Sequence, residues 1–460
     1  MQHIVFHRSV RVSLTQNRRK KMKKLVILFL VLFLSAPAFG AADNWSDKLE
    51  LGGSTQLRYY WLNNMWDNND DTDFDRWDSY RLHTKINAKA TISDTISGFV
   101  QLGNQTYGNG VVDRNLNDSD NLGNKVFVEN SYITVNDFFG SNFTFQAGRM
   151  NLMYGSGFVL FDGNSQFAST SLYFDGVKLT MPIGKKSKID ALYFIDEENN
   201  RADGPTNDDD ISLSGLYMTA NCPAMGSDKG QQEIYTLNRN DELLSKDIWM
   251  VGLRLSDKFE MGFDYSGEVA YQMGEFNSKT NIDQEALGYK LDAGYTFTNA
   301  MMTPRLFCGY MFMEGDDPDT KDKERWDVFY GGWPQFGDML AWKYVNVGAA
   351  NNITDYDPTY NEGSSTPGEA VYSNLSMASV GVGANLTSQL STKFTYGLLT
   401  VDEPVAGADD DFGDYYQLQA TYGYHKNLSF SVYSAMIDPG DAFNNDDKAY
   451  EIFLETKLVF

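Results

Sequence analysis

The chain has 460 residues, with 62 Asp and Glu against 38 Lys and Arg and a formal net charge of −24 at pH 7. That acidity excludes nucleic acid as a partner, because phosphate binding needs a basic surface. Aromatics make up 14% and glycines number 40, which suits strand-rich walls edged by interfacial Tyr, Phe and Trp; the two cysteines, Cys222 and Cys308, form no paired motif and no C-x-x-C-H haem site.

Residues 1–21, with scattered Arg and Lys, read as an upstream extension, since Met22 is the better start for a signal peptide. Lys23 and Lys24 precede an apolar run over residues 25–34 and small residues over 35–41, the pattern of a cleaved secretory signal at residues 22–42, cut after Gly40 or Ala42. The run is too short for a spanning helix, which needs roughly 20 apolar residues. Residues 43–460 are expected to form one domain.

Period-2 alternation then begins. In a first strand, 48–62, Leu49, Leu51, Leu57, Tyr59 and Trp61 share one face, opposite Glu50, Gln56, Arg58 and Tyr60. A second, 77–92, sets Tyr80, Leu82, Ile86 and Ala88 against Arg81, His83, Lys85 and Lys89. The apolar set faces lipid and the polar set an aqueous lumen. Strands are predicted next at 95–104, 125–136, 142–150, 171–182, 188–196, 211–220, 231–239, 247–256 and 260–274, the last setting Phe263, Tyr265 and Val269 against Asp264 and Glu268. Further strands follow at 284–298, 303–314, 371–386, 389–401, 414–424 and 427–437. Cys308, in phase with Leu306 and Tyr310, reads as a small lipid-facing or packed residue. The closing strand, 449–460, places Tyr450, Ile452, Leu454, Leu458 and the terminal Phe460 opposite Glu451 and Glu455. It must complete the sheet, because an unpaired amide in hydrocarbon costs several kcal/mol.

Short turns, such as Ser93-Asp94, residues 183–188, 256–258 and 425–427, alternate with long acidic stretches, such as 63–75, 104–124, 196–210, 402–414 and 438–448. Short turns belong to the periplasmic rim and long loops to the cell exterior. The expected fold is all-β, a transmembrane antiparallel up-and-down barrel of about 18 strands. Residues 315–370, with Trp326, Phe329, Trp333 and Trp342, are either a folded external loop or a further hairpin, so 16 or 20 strands stay open.

Several short runs carry a family resemblance: Gly148-Arg149 with Tyr154-Gly155, then Phe174-Asp175-Gly176-Val177, Gly252-Leu253-Arg254, residues 265–274 (YSGEVAYQMG), Gly294-Tyr295, Pro304-Arg305-Leu306, Glu314-Gly315-Asp316 and Pro439-Gly440-Asp441. Their order from about residue 48 onward resembles the alginate-export family of outer-membrane porins. The resemblance implies a single 18-stranded barrel and a channel function. Where family members commonly carry Arg or Lys after the Tyr-Gly pair, this chain has Phe158 and Val159.

By alternation the lumen-facing bases are Arg58, Arg81, Lys85, Lys89, Lys178, Arg254, Lys290, Arg305 and Lys393, with Arg149 added from the family motif. The lumen-facing acids are Glu50, Asp190, Asp264, Glu268, Asp292, Glu451 and Glu455. Fixed charges in a confined lumen select counter-ions, and this balance is mixed. The loop 151–171, with Tyr154, Gly155, Phe158, Phe161 and Phe167, is a candidate constriction folded into the lumen; the alternative is an external loop capped by its own aromatics. The Asp runs at 70–71, 208–210, 316–317 and 409–411 lack ordered EF-hand spacing. They read as solvated loops or as acids bridged by divalent cations to lipopolysaccharide, so no metal site and no cofactor is assigned.

Catalysis has a poor basis: His83 sits in mid-wall, His425 in a turn, and no nucleophile motif is present. The expectation is a Gram-negative outer-membrane porin for passive diffusion of small hydrophilic solutes. The alternatives are export of an anionic polysaccharide such as alginate, or a barrel shell for an outer-membrane complex. Expected partners are membrane lipid, lipopolysaccharide, the solutes and, through Phe460, the outer-membrane assembly machinery; a further cell-surface complex is left open.

Overall fold

The computed structural model describes residues 48–65, 68–71, 76–107, 126–162, 172–197, 211–221, 229–242, 244–331, 337, 339–340, 373–404 and 407–460. The chain divides into two units, residues 1–50 and 51–460. Only residues 48–50 of the first are described, and the second is a closed antiparallel barrel.

Its strands are β1 (Leu49–Asn63), β2 (Trp77–Thr91), β3 (Ile96–Tyr107), β4 (Phe127–Val135), β5 (Thr144–Met150), β6 (Phe174–Ile183), β7 (Ser187–Glu197), β8 (Ile211–Asn221) and β9 (Gln231–Asp241). They continue as β10 (Lys246–Lys258), β11 (Phe263–Asn277), β12 (Ile282–Thr296), β13 (Arg305–Met313), β14 (Leu375–Asn385), β15 (Leu390–Thr400), β16 (Asp411–His425), β17 (Leu428–Pro439) and β18 (Ala449–Val459). Each pairs with its neighbours in sequence, and β1 pairs with β18. All 18 expected strands are present, so residues 315–370 contribute no membrane-crossing hairpin among the described residues.

Closure places Leu57 opposite Thr456 and Tyr59 opposite Leu454. Gly53 and the terminal Phe460 exchange backbone hydrogen bonds of 2.8 and 3.0 Å. A side chain at Gly53 would strike the Phe460 ring and the Lys85 carbonyl, so the seam requires glycine there. No sheet edge is left to hydrocarbon.

Burial is inverted relative to a water-soluble domain. Leu57, Tyr59, Ile86, Val380 and Leu454 are exposed on the outer face, while Arg58, Glu129, Asp190, Gln272 and Glu451 are buried on the inner one. Alternation across the pleat produces this, one residue outward and the next inward. Cys308 lies on the outer face, exposed as a free thiol, as its phase with Leu306 and Tyr310 requires; Cys222 lies outside the described residues.

The alternation of long and short connections is less regular than expected. The connections from β9 to β10 and from β11 to β12 are only four residues long although they lie on the rim that carries the long loops, with Ser245 (φ 58°) and Asn281 (φ 52°) in the left-handed region. The turn expected at 256–258 sits instead at 259–262, where Phe259 N–H donates to the Phe263 carbonyl at 2.8 Å and Gly262 takes φ 103°.

Candidate functional site: two inward loops and a charged lumen

The loop after β5 turns into the lumen. Its root is held by paired amides, Asn130 Nδ2 donating to Asn151 Oδ1 at 2.5 Å and the Asn151 N–H donating to Asn130 Oδ1 at 2.9 Å. Gly155 (φ 57°) and Gly157 (φ 76°) provide the left-handed backbone of the tip. Gly155 lies against a charged cluster, since a Cβ there would sit 3.0 Å from both Arg254 Cδ and Glu233 Oε2.

Three tyrosines line this docking surface. The Tyr154 ring stacks on Tyr217 at 4.2 Å between centroids, and Tyr217 on Tyr235 at 5.1 Å. Their hydroxyls donate to Asp190 (3.0 Å), Glu233 (2.7 Å) and Glu268 (3.0 Å) respectively, and Ser156 Oγ donates to Glu268 at 3.1 Å. Arg254 lies 3.2 Å from Glu233 and 3.8 Å from Glu268. Hydroxyl donors thus help satisfy Glu233 and Glu268, which share the Arg254 guanidinium, while Asp190 also pairs with Lys188 at 2.8 Å. Burial and the Asp190 charge both push the Tyr154 hydroxyl well above its ordinary range, so it remains a donor. Tyr154-Gly155, Gly252-Leu253-Arg254 and the run holding Glu268, far apart in sequence, meet here. Gly252 is part of that fit, because a side chain would collide with the Tyr235 ring.

A second inward segment follows β13. Residues 314–331 cross over the first loop and pair with it: Tyr330 N–H donates to the Val159 carbonyl at 3.2 Å and Phe161 N–H to the Tyr330 carbonyl at 3.0 Å. Phe158 stacks on Trp326 at 5.4 Å, both fully buried. Trp326 lies over Gly288 of β12, where a Cβ would meet the indole at 2.8 Å.

Polar contacts fasten this segment to the wall. Arg239 of β9 holds Asp327 through two hydrogen bonds of 2.8 and 2.6 Å. Gln272 of β11 accepts from the Asp327 N–H at 2.8 Å and donates to its carbonyl, and Gln284 of β12 donates to the Arg325 carbonyl at 2.7 Å. Burial alone would raise the Asp327 carboxyl, but the charges of Arg239 and Lys246 outweigh it and hold the group below the usual carboxylate range. Further along, Gly337 rests against the Tyr415 and Tyr433 hydroxyls of β16 and β17, leaving no room for a side chain. Described residues after β13 thus touch two sectors of the wall, 325–327 at β9, β11 and β12 and Gly337 at β16 and β17.

Tyr154, Gly155, Phe158 and Phe161 of the expected constriction loop lie on the inner side of the wall; residues 163–171, with Phe167, lie outside the described residues. Phe158 and Val159 are buried in the contact between the two loops.

The expected bases divide by surroundings. Arg58 is buried, 2.5 Å from Glu455 and 4.7 Å above the Phe453 ring. Lys85 pairs with Glu129 at 2.5 Å, Lys290 lies 3.7 Å from Asp292, and Arg305 pairs with Asp264 at 2.6 Å. Arg81 and Lys89 share the inner face of β2 with Lys85, and Lys178 lies inward between Gln146 and Leu192. Lys393 Nζ sits 4.7 Å over the Phe307 ring. Arg149 is the correction. Inward Phe174, Gly176 and Lys178 put Asp175 and its cross-strand partner Arg149 on the outer face, where Arg149 pairs with Asp175 at 2.6 Å and covers Tyr173. A family motif carries no strand phase, whereas the register does.

The expected lumen set omits Glu233, Tyr217, Tyr235 and Arg239, although period 2 across 231–241 marks three of them. Glu129 was hidden by a bulge in the β3–β4 pairing, which buries both Glu129 and Asn130 and breaks the alternation. Asp327 lies in a loop, where no periodicity exists to read. His83 is buried on the inner wall, and His425 Nδ1 accepts from the Asn427 N–H in a turn. The acidic runs 70–71, 316–317 and 409–411 are described and 208–210 is not; among the described residues no three His, Cys, Asp or Glu side chains converge as a metal site.

The chain matches the family described as alginate export over residues 48–455. No curated protein matches it. Its fold is similar to that of Pseudomonas aeruginosa OccK9 (OpdG), at 14% identity, with 91% of this chain and 100% of that chain covered and a TM-score of 0.53. It is also similar to the P. aeruginosa outer membrane protein OprD, at 13% identity, with 89% and 94% covered and a TM-score of 0.51.

Proposed function

Because the chain belongs to the alginate export family and is an outer-membrane channel, we propose that it passes small hydrophilic solutes by passive diffusion through a lumen of mixed charge. The observation that carries this reading is the pair of inward loops joined at Val159, Tyr330 and Phe161, set beside a charged inner wall. Backbone pairing supports the wall and outward apolar residues anchor it in lipid. The loops set size, and the inner charges set preference.

Pairing of inner bases supports small solutes over a polyanion. Arg58, Lys85, Arg254, Lys290 and Arg305 each face a carboxylate, so the basic track a charged polymer would follow is interrupted. Export of an anionic polysaccharide is the second reading, favoured by the family's description. Planar-bilayer conductance and liposome swelling separate the two. Steady conductance with swelling in sugars and organic acids supports diffusion. A silent channel through which alginate oligomers nevertheless pass into liposomes would overturn it.

A further inference from the structure

A cleft of about 510 Å³ opens in the half of the lumen nearest the short turns, away from the loop constriction. The volume lies within the roughly 300–1,000 Å³ common for small-molecule sites. Its floor is Gly383 of β14, flanked across the register by Arg305 on one side and Lys393 on the other, with Gln419 beyond Lys393. Two other glycines of this wall are covered, Gly294 by the Arg305 guanidinium and Gly381 by the Phe307 ring. Gly383 is open: a Cβ there would meet just the Thr392 carbonyl, at 3.5 Å.

The charges around the floor are unequal. Arg305 is held by Asp264 through hydrogen bonds of 2.6 and 3.2 Å. Lys393 lies over Phe307 and, among the described residues, forms no ion pair. The cleft therefore presents an ammonium with no carboxylate in contact, acted on at longer range by Asp292, which lies 3.7 Å from Lys290, and with the Thr296 hydroxyl and Gln419 amide at its margins.

We propose that the cleft over Gly383 is a binding subsite for a small hydroxylated organic anion crossing the lumen. This rests on the reading of the barrel as a diffusion channel for small solutes. Lys393 takes the single negative charge, the lining hydroxyl and amide exchange hydrogen bonds with solute hydroxyls, and the bare glycine floor lets the solute approach the backbone.

The test uses equilibrium binding of labelled gluconate to the full-length protein in detergent, with sorbitol as the neutral competitor. Saturable binding that sorbitol does not displace is expected, weakened at least about tenfold by Lys393→Gln. Gly383→Val, which fills the floor, is expected to abolish binding while the β-type circular dichroism spectrum persists in both variants. No saturable binding to the wild type, equal displacement by sorbitol, or unchanged binding in both variants overturns the subsite. Bilayer recording of the wild type is run alongside. Gluconate binding by a protein that does not conduct removes the diffusion reading and leaves the subsite standing; conduction without gluconate binding does the reverse.

Discussion

Phe158 and Trp326 stack at 5.4 Å between centroids, each fully buried, so that loops following β5 and β13 share one apolar contact inside the barrel. The two loops are further joined by the backbone bonds between Val159, Tyr330 and Phe161. Loss of either partner is therefore expected to free both loops without opening the sheet, whose hydrogen bonds are separate.

Trp326→Ala removes the stack and the cover over Gly288. Truncating a buried Trp costs about 3–5 kcal/mol, here charged to loop docking. The expected outcome is a larger and noisier single-channel conductance, with an unchanged β-type circular dichroism spectrum. Conductance indistinguishable from wild type would show that the loops do not limit the pore.

Asp327→Asn leaves Arg239 partly buried without its counter-charge, a loss of about 3–5 kcal/mol for a buried pair. The same latch gives a pH dependence. A carboxyl held below its free value stabilises the docked loop while ionised, so its contribution is complete at neutral pH and is lost as pH falls below the ordinary carboxylate value of about 4. Wild-type conductance should hold steady from pH 7 to about 5 and rise at more acidic pH, whereas the variant should be in the high-conductance state throughout.

Neutralising Arg81, Lys85 and Lys89 together is expected to move the reversal potential toward cation preference. Glu129→Gln is expected to move it the other way, because it releases Lys85 from its 2.5 Å pair. An unchanged reversal potential in both would remove the inner face of β2 from ion selection.

Arg149→Ala should leave conductance and reversal potential as in the wild type, since its partner Asp175 lies on the outer face. A shift comparable to that of the β2 triple variant would mean that Arg149 reaches the lumen.

The sequence alone determined the barrel class, the approximate bounds of the strands and the inward face of regular runs such as that of β2, while the choice of 18 strands over 16 or 20 waited on the pairing of β13 with β14. Period 2 is a local property, and a barrel with lipid outside and water inside imposes it on each strand separately. Tyr450 and Glu451 can be sorted this way without knowing any partner. Tertiary structure alone decided which charges neutralise one another, as with Arg58 and Glu455 across the closing seam, and which face Arg149 takes, because register is a relation between strands. It also decided that residues 314–331 fold onto the loop that holds Phe158. That segment has no repeat to read, and its place depends on Asp327 meeting Arg239 and on Trp326 finding the bare surface of Gly288.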